Sequence, residues 1–168
     1  MTRFLLSTAA LAATIFTTSL FAVEEPEKLS VLGTEMVLKA DGSKTNGAMA
    51  AVEARVKPGG GPPKHVHAKE DEMFYVLEGQ FKIWRGDEAL DAGTGAVVFL
   101  PRNVPHTYQN TGSEPGRLLV MITPAGFEGF FREVSRRELS APKDMQELET
   151  VAKQYGLQFL GPPPQVAK

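Results

Sequence analysis

The chain has 168 residues, with 20 acidic against 18 basic side chains, three histidines and no cysteine. That length suits one domain around a single core, and a net charge of −2 leaves no basic field to hold a nucleic-acid backbone or an anionic membrane surface. Without cysteine there is no disulfide, thiolate metal site, iron–sulfur cluster or cysteine nucleophile, so any chemistry must run on His, Asp, Glu and Tyr.

Residues 1–22, MTRFLLSTAALAATIFTTSLFA, carry one charge, Arg3, and the next charge is Glu24. A basic start, an apolar middle and a small residue, Ala22, give the layout of a secretory signal peptide, cut after Ala22 or after Ser19. The run is too short and too rich in Thr and Ala for the ~20 predominantly apolar residues of a membrane span; the competing reading is an uncleaved N-terminal anchor. The expectation is a periplasmic or secreted protein with no membrane span after cleavage. No twin arginine precedes the apolar run, so the chain is expected to cross unfolded.

From Glu35 to Thr123 the pattern is one of short strands. EMVLKA, AMAAVEARV, MFYVLEG, QFKIWRG, AVVFLP, HTYQN and RLLVMIT are divided by turn chemistry such as Asp41-Gly42, the Pro58 to Pro63 loop, Glu78-Gly79, Gly86-Asp87 and Thr111-Gly112. Many short strands at this spacing predict an all-β antiparallel sandwich or barrel. After Thr123 the period changes: Phe127, Phe130, Phe131 and Val134 recur at i, i+3, i+4, i+7, one face of a helix. That face needs cover from the barrel or from a second subunit. A second helix is predicted from Pro142 to a stop at Gly156, with Met145, Leu148, Ala152 and Tyr155 inward. The end, GPPPQVAK, reads as a loose tail.

His65 and His67 are two apart, so on an extended strand they share a face. Glu72 follows at the start of the MFYVLEG strand, and His106 opens HTYQN. Three imidazoles and one carboxylate brought together suit a divalent first-row transition metal with open positions left over. Phe74 and Val76 share the parity of Glu72, and Tyr108 that of His106, so all three are expected to face the interior. For Phe74 and Tyr108 this makes them candidates for a substrate-pocket wall. The run Lys69-Glu70-Asp71 reads as solvated, and Gly59-Gly60-Gly61 as a loop, since no phosphate-cradling Lys-Ser/Thr and no helix follow it.

The spacing itself resembles that of the cupins. Gly59, five residues, His65-Val66-His67, four residues, Glu72, six residues and Gly79 match their first motif. Gly95, five residues, Pro101-Arg102-Asn103, two residues, His106, three residues and Asn110 match the second. Asn103 stands where that motif usually has Gly, a turn position at which Asn tolerates a left-handed backbone. The resemblance covers roughly residues 50–123, and TPAGFEGFFREV is similar to the tails of many small bacterial cupins.

The resemblance implies an antiparallel jelly-roll barrel at 23–125, with a short helical extension and loose tail at 126–168. It also implies one divalent ion (Fe, Mn, Ni, Cu, Co or Zn) held by His65, His67, Glu72 and His106. Similarity to single-domain cupins of the quercetin dioxygenase-like kind implies a dioxygenase acting on a small enolic or phenolic, flavonol-like substrate, with dioxygen as partner. In that reading Glu72 is both ligand and catalytic base, helped if desolvation raises its pKa. The alternatives are a metal-dependent isomerase or decarboxylase, or a small-ligand-binding cupin without turnover. Cupins of this size commonly pair, so a homodimer is expected.

Overall fold

Alternation of apolar and polar side chains at period two shapes most of the molecule. The computed structural model describes residues 25–162 and 164, and the expected signal peptide at 1–22 lies outside them. Strands β1 (Glu27–Val31) and β2 (Thr34–Ala40) form a hairpin, and a short helix, α1 (Gly42–Thr45), leads to β3 (Ala50–Val56). Then come β4 (Lys64–His67), β5 (Asp71–Glu78), β6 (Gln80–Arg85), β7 (Glu88–Gly93), β8 (Val97–Leu100), β9 (His106–Asn110) and β10 (Gly116–Thr123). Helices α2 (Glu128–Arg136) and α3 (Met145–Gln154) follow, and β11 (Leu157–Gly161) is the last strand. Among the described residues no helix is long and apolar enough to cross a membrane.

The strands form two antiparallel sheets, ordered β1-β2-β3-β10-β5-β8 and β11-β4-β9-β6-β7. This is the all-β antiparallel architecture that the strand pattern predicts, in the jelly-roll form that the resemblance implies. Alternate residues of each strand supply the core: Phe74 and Val76 from β5, Leu118 and Ile122 from β10, Phe81 and Ile83 from β6. Each such burial is worth about 1.5–3 kcal/mol relative to exposure. Phe74 lies opposite Val98 and Val120, and Ile83 opposite Tyr108, so the register keeps apolar partners in contact across neighbouring strands.

Strands β1, β7 and β11 depart from the expected pattern because pairing overrides local propensity, and the second helix is shorter than expected. β1, EKLSV, and β7, EALDAG, hold few β-branched and no aromatic residues, yet β1 pairs with β2 along its length and β7 pairs with β6 from Gln80↔Gly93 to Arg85↔Glu88. No strand was expected between Gly156 and the tail that begins at Gly161, yet residues 157–161 return to the barrel and pair with β4. The second helix starts at Met145 rather than Pro142. The Asp144 carboxylate accepts from the Ser140 N–H and hydroxyl, which spends residues 140–144 on a turn.

The apolar face of α2 finds its cover inside the chain. Phe127, Phe130 and Phe131 are buried, the first against its two neighbours at ring distances of 5.1 Å each. With that face covered, the argument it offered for a second subunit falls away. Polar ties fix the helix as well: Glu128 accepts from the N–H groups of Gly42 and Gly126, and Arg132 reaches both Glu27 and Asp41.

Candidate metal centre

Three strands from the two sheets bring the predicted residues together. His65 and His67 project inward from β4, His106 lies directly across from His65 on β9, and Glu72 faces them from β5 in the other sheet. All four are buried, and one ligand atom from each lies within 4.8 Å of the others. The imidazole rings are 4.5–5.5 Å apart.

Each ring is held through its Nδ1. That of His65 donates to the Pro63 carbonyl at 2.8 Å, that of His106 to the Val104 carbonyl at 2.9 Å, and that of His67 to the Glu70 carboxylate at 3.4 Å. An Nδ1–H engaged with an oxygen fixes the tautomer that leaves the Nε2 lone pair free for a cation. The Nε2 atoms of His106 and His67 stand 2.8 Å and 3.8 Å from one Glu72 oxygen. Three anchored nitrogens and one carboxylate, buried and convergent, fit a divalent first-row ion well.

The electrostatics follow from the crowding of charge. Burial, and then the positive charge of the other two imidazoles, pushes His65 down to about 3. For His106 burial alone would do the same, but the hydrogen bond and charge of Glu72 outweigh it and raise its pKa. Burial acting on Glu72 would raise its pKa as the sequence suggested, yet the charge of His67 and the hydrogen bond from His106 bring it down to about 2. Glu72 is therefore a carboxylate at neutral pH, without the upward shift that would have helped it as a base. Burial also pushes the Tyr108 hydroxyl up, so that group stays protonated.

The loops are shaped to aim these side chains. Asn103 has φ of 63°, the left-handed turn expected of it, and its N–H donates to the His67 carbonyl. Its neighbour Arg102 grips Asp71 through backbone and guanidinium, which holds the Asp71 carboxyl down to about 2 and ties the start of β5 to the same turn. On the other side Gly61 runs so close to β9 that any side chain there would collide with the Tyr108 carbonyl, and Thr107 donates to the Pro62 carbonyl.

Phe74 and Tyr108, chosen by strand parity, both line the cavity beside the four donors. Two functional neighbours went unread. Glu70 is buried at 5% exposure instead of solvated. Phe127 lies edge-on to the His67 ring at 4.3 Å. The helical period marked Phe127 as inward but could not name its partner.

Residues 52–122 match the family model described as "Cupin domain". The chain belongs to the cupin superfamily. This cupin is 30% identical over 88 residues to quercetin 2,3-dioxygenase of Bacillus subtilis, a match covering 52% of this chain and 26% of that protein. It is 32% identical over 80 residues to the protein SchB of Streptomyces halstedii, covering 48% of this chain and 56% of the relative. The chain thus spans between about a quarter and just over half of the length of these two relatives. A crystal structure of a predicted oxalate decarboxylase from Thermotoga maritima superposes with a TM-score of 0.53 at 25% identity, covering 59% of this cupin and 91% of that chain.

Proposed function

We propose that this cupin is a metal-dependent dioxygenase of a small enolic or phenolic, flavonol-like substrate, exported by residues 1–22 and acting in the periplasm or outside the cell. The observation that carries the metal part is the anchoring of all three imidazoles through Nδ1 around the buried Glu72 carboxylate. Likeness over half of this chain to quercetin 2,3-dioxygenase supports the reaction class. Further support comes from the cavity wall: Phe74, Tyr108, Phe127 and Phe130 face the donors, and no Lys or Arg is among the described residues lining it. A small dianionic acid or sugar phosphate would want such cations; a flat neutral ring wants aromatic walls.

His65, His67, Glu72 and His106 would hold the ion. When bound, it supplies the positive charge that favours a deprotonated substrate oxygen and a centre at which dioxygen reacts. The ionised Glu72 is placed to accept the substrate hydroxyl proton. His106, at 2.8 Å from the same carboxylate, steadies the orientation it needs for that task. The aromatic walls guide the enolic end of the substrate towards the donors and keep bulk water out.

Two measurements test this. His67→Ala and His106→Ala should abolish stoichiometric metal by elemental analysis, while Glu72→Gln should keep much of the metal and lose turnover. Oxygen uptake should follow the addition of a flavonol to the metal-loaded chain. Turnover without oxygen consumption would move the protein to the isomerase or decarboxylase class, and full metal occupancy in the double histidine variant would sink the ligand assignment.

A further inference from the structure

Two cavities meet at the mouth of the barrel. The inner one, about 60 Å³, contains His65, His67 and Glu72 in its wall. The outer one, about 480 Å³, lies between the Gly61–Pro63 loop and the C-terminal extension, where Ala141, Pro142, Met145 and Pro162 line it. Only the outer one reaches the ~300–1,000 Å³ usual for a small-molecule site. The inner one is too small for a fused-ring substrate.

The two share a wall. Leu32 and Phe159 line both, and the adjacent Pro62 and Pro63 line the inner and the outer one respectively. Leu32 sits at the tip of the β1–β2 hairpin with φ of 51°, ahead of Gly33 at 79°. Turns with two left-handed residues prefer Asn or Gly at both positions, so a leucine there is strained. Strain of this kind gathers at clamps and switches, where a side chain is wanted in spite of the backbone. Here it sets an apolar side chain between the two cavities. Of the described residues lining the outer cavity, only Glu149 is charged, which disfavours an anionic occupant.

We propose that the outer cavity binds the flat, neutral, apolar body of the substrate, and that Leu32 and Phe159 form a partition displaced as its enolic end enters to reach the four donors. This deepens the function above and rests on its metal site for the position of the reactive end. The C-terminal extension then has a binding role, since residues 141–162 supply most of the outer wall.

The test uses the full mature chain loaded with Zn²⁺, which does not turn over, and two probes: quercetin, with three rings, and catechol, with one. Met145→Glu should weaken quercetin binding by about tenfold or more, because a charge is set against its rings, and leave catechol and Zn²⁺ affinity unchanged. Leu32→Gly keeps the turn and removes the partition, so quercetin should associate several-fold faster with Zn²⁺ affinity again unchanged. Zn²⁺ content is measured in the same samples. A wild type that holds none sinks the metal reading, and the Met145→Glu comparison is then read on the metal-free chain.

The proposal is overturned if Met145→Glu binds quercetin within about twofold of wild type, or weakens both probes alike. It is also overturned if Met145→Glu dissolves a wild-type dimer while quercetin binding stays intact, which would give the cavity to a second copy. Quercetin binding that appears only after removal of residues 163–168 would give it to the chain's own tail, with the same result.

Discussion

Glu70 offers the sharpest perturbation of the candidate metal centre, because it would act on a bound ion only through His67. Its carboxylate is buried and meets the His67 Nδ1 at 3.4 Å. Replacing Glu70 with Ala leaves that N–H without its acceptor and frees the ring to rotate or to adopt the other tautomer. Outer partners of this kind are worth about 10–100-fold in metal affinity. The contact is long for a hydrogen bond, so the expected loss lies near the lower bound, about tenfold, or roughly 1.4 kcal/mol. Glu70→Gln keeps an acceptor oxygen and should lose less. The assay is competition for Zn²⁺ against a chromophoric chelator, with thermal melts of the metal-free variants to confirm folding. If Glu70→Ala binds Zn²⁺ within about twofold of wild type while His67→Ala loses it, the anchoring argument is wrong.

Phe127→Ala removes a buried ring packed on His67, Phe130 and Phe131 and should cost about 3–5 kcal/mol in urea unfolding; a cost under about 1 kcal/mol would mean that the α2 face is not seated as described. Hydrogen bonds from Ser43 and then Arg132 hold the Asp41 carboxyl well below the usual range. Its stabilisation is therefore complete above the unfolded pKa of about 3.9 and is lost as pH falls towards the folded one. Asp41→Asn should accordingly show a shallower acid loss than wild type between about pH 4 and pH 2, and parallel curves would refute the linkage. If the chain crosses the inner membrane unfolded it takes on metal afterwards. The exported full-length protein and residues 23–168 made in the cytoplasm should then differ in metal content, and identical contents from one medium would show that geometry selects the ion.

The metal centre was legible because its information is local. Spacing of two puts His65 and His67 on one face, and strand parity puts Phe74 with Glu72 and Tyr108 with His106. Motif spacing supplied the rest, down to the left-handed turn at Asn103. Glu70 was hidden for the opposite reason. It sits in a charged run, and only the turn between β4 and β5 decides that its carboxylate goes under His67 rather than into water. The direction of the Glu72 shift could not be read for a similar cause: desolvation follows from a buried strand, but the balance against three imidazoles needs their distances. β11 escaped because LQFLG between a helix stop and three prolines has little propensity of its own and is ordered by β4.

That last pairing has a bearing on when the site can exist during biosynthesis. β4 carries two of the four donors, yet on the β9 side its register rests on the single pair His65↔His106, whereas β11 binds it from Leu157↔His67 to Gly161↔Lys64. A nascent chain stalled before residue 157 would hold the histidine strand by one edge only. The donors would then reach their final arrangement only once residues 157–161 are free to pair. If residues 1–22 direct export of the unfolded chain as proposed, the polypeptide would cross before it could trap an ion.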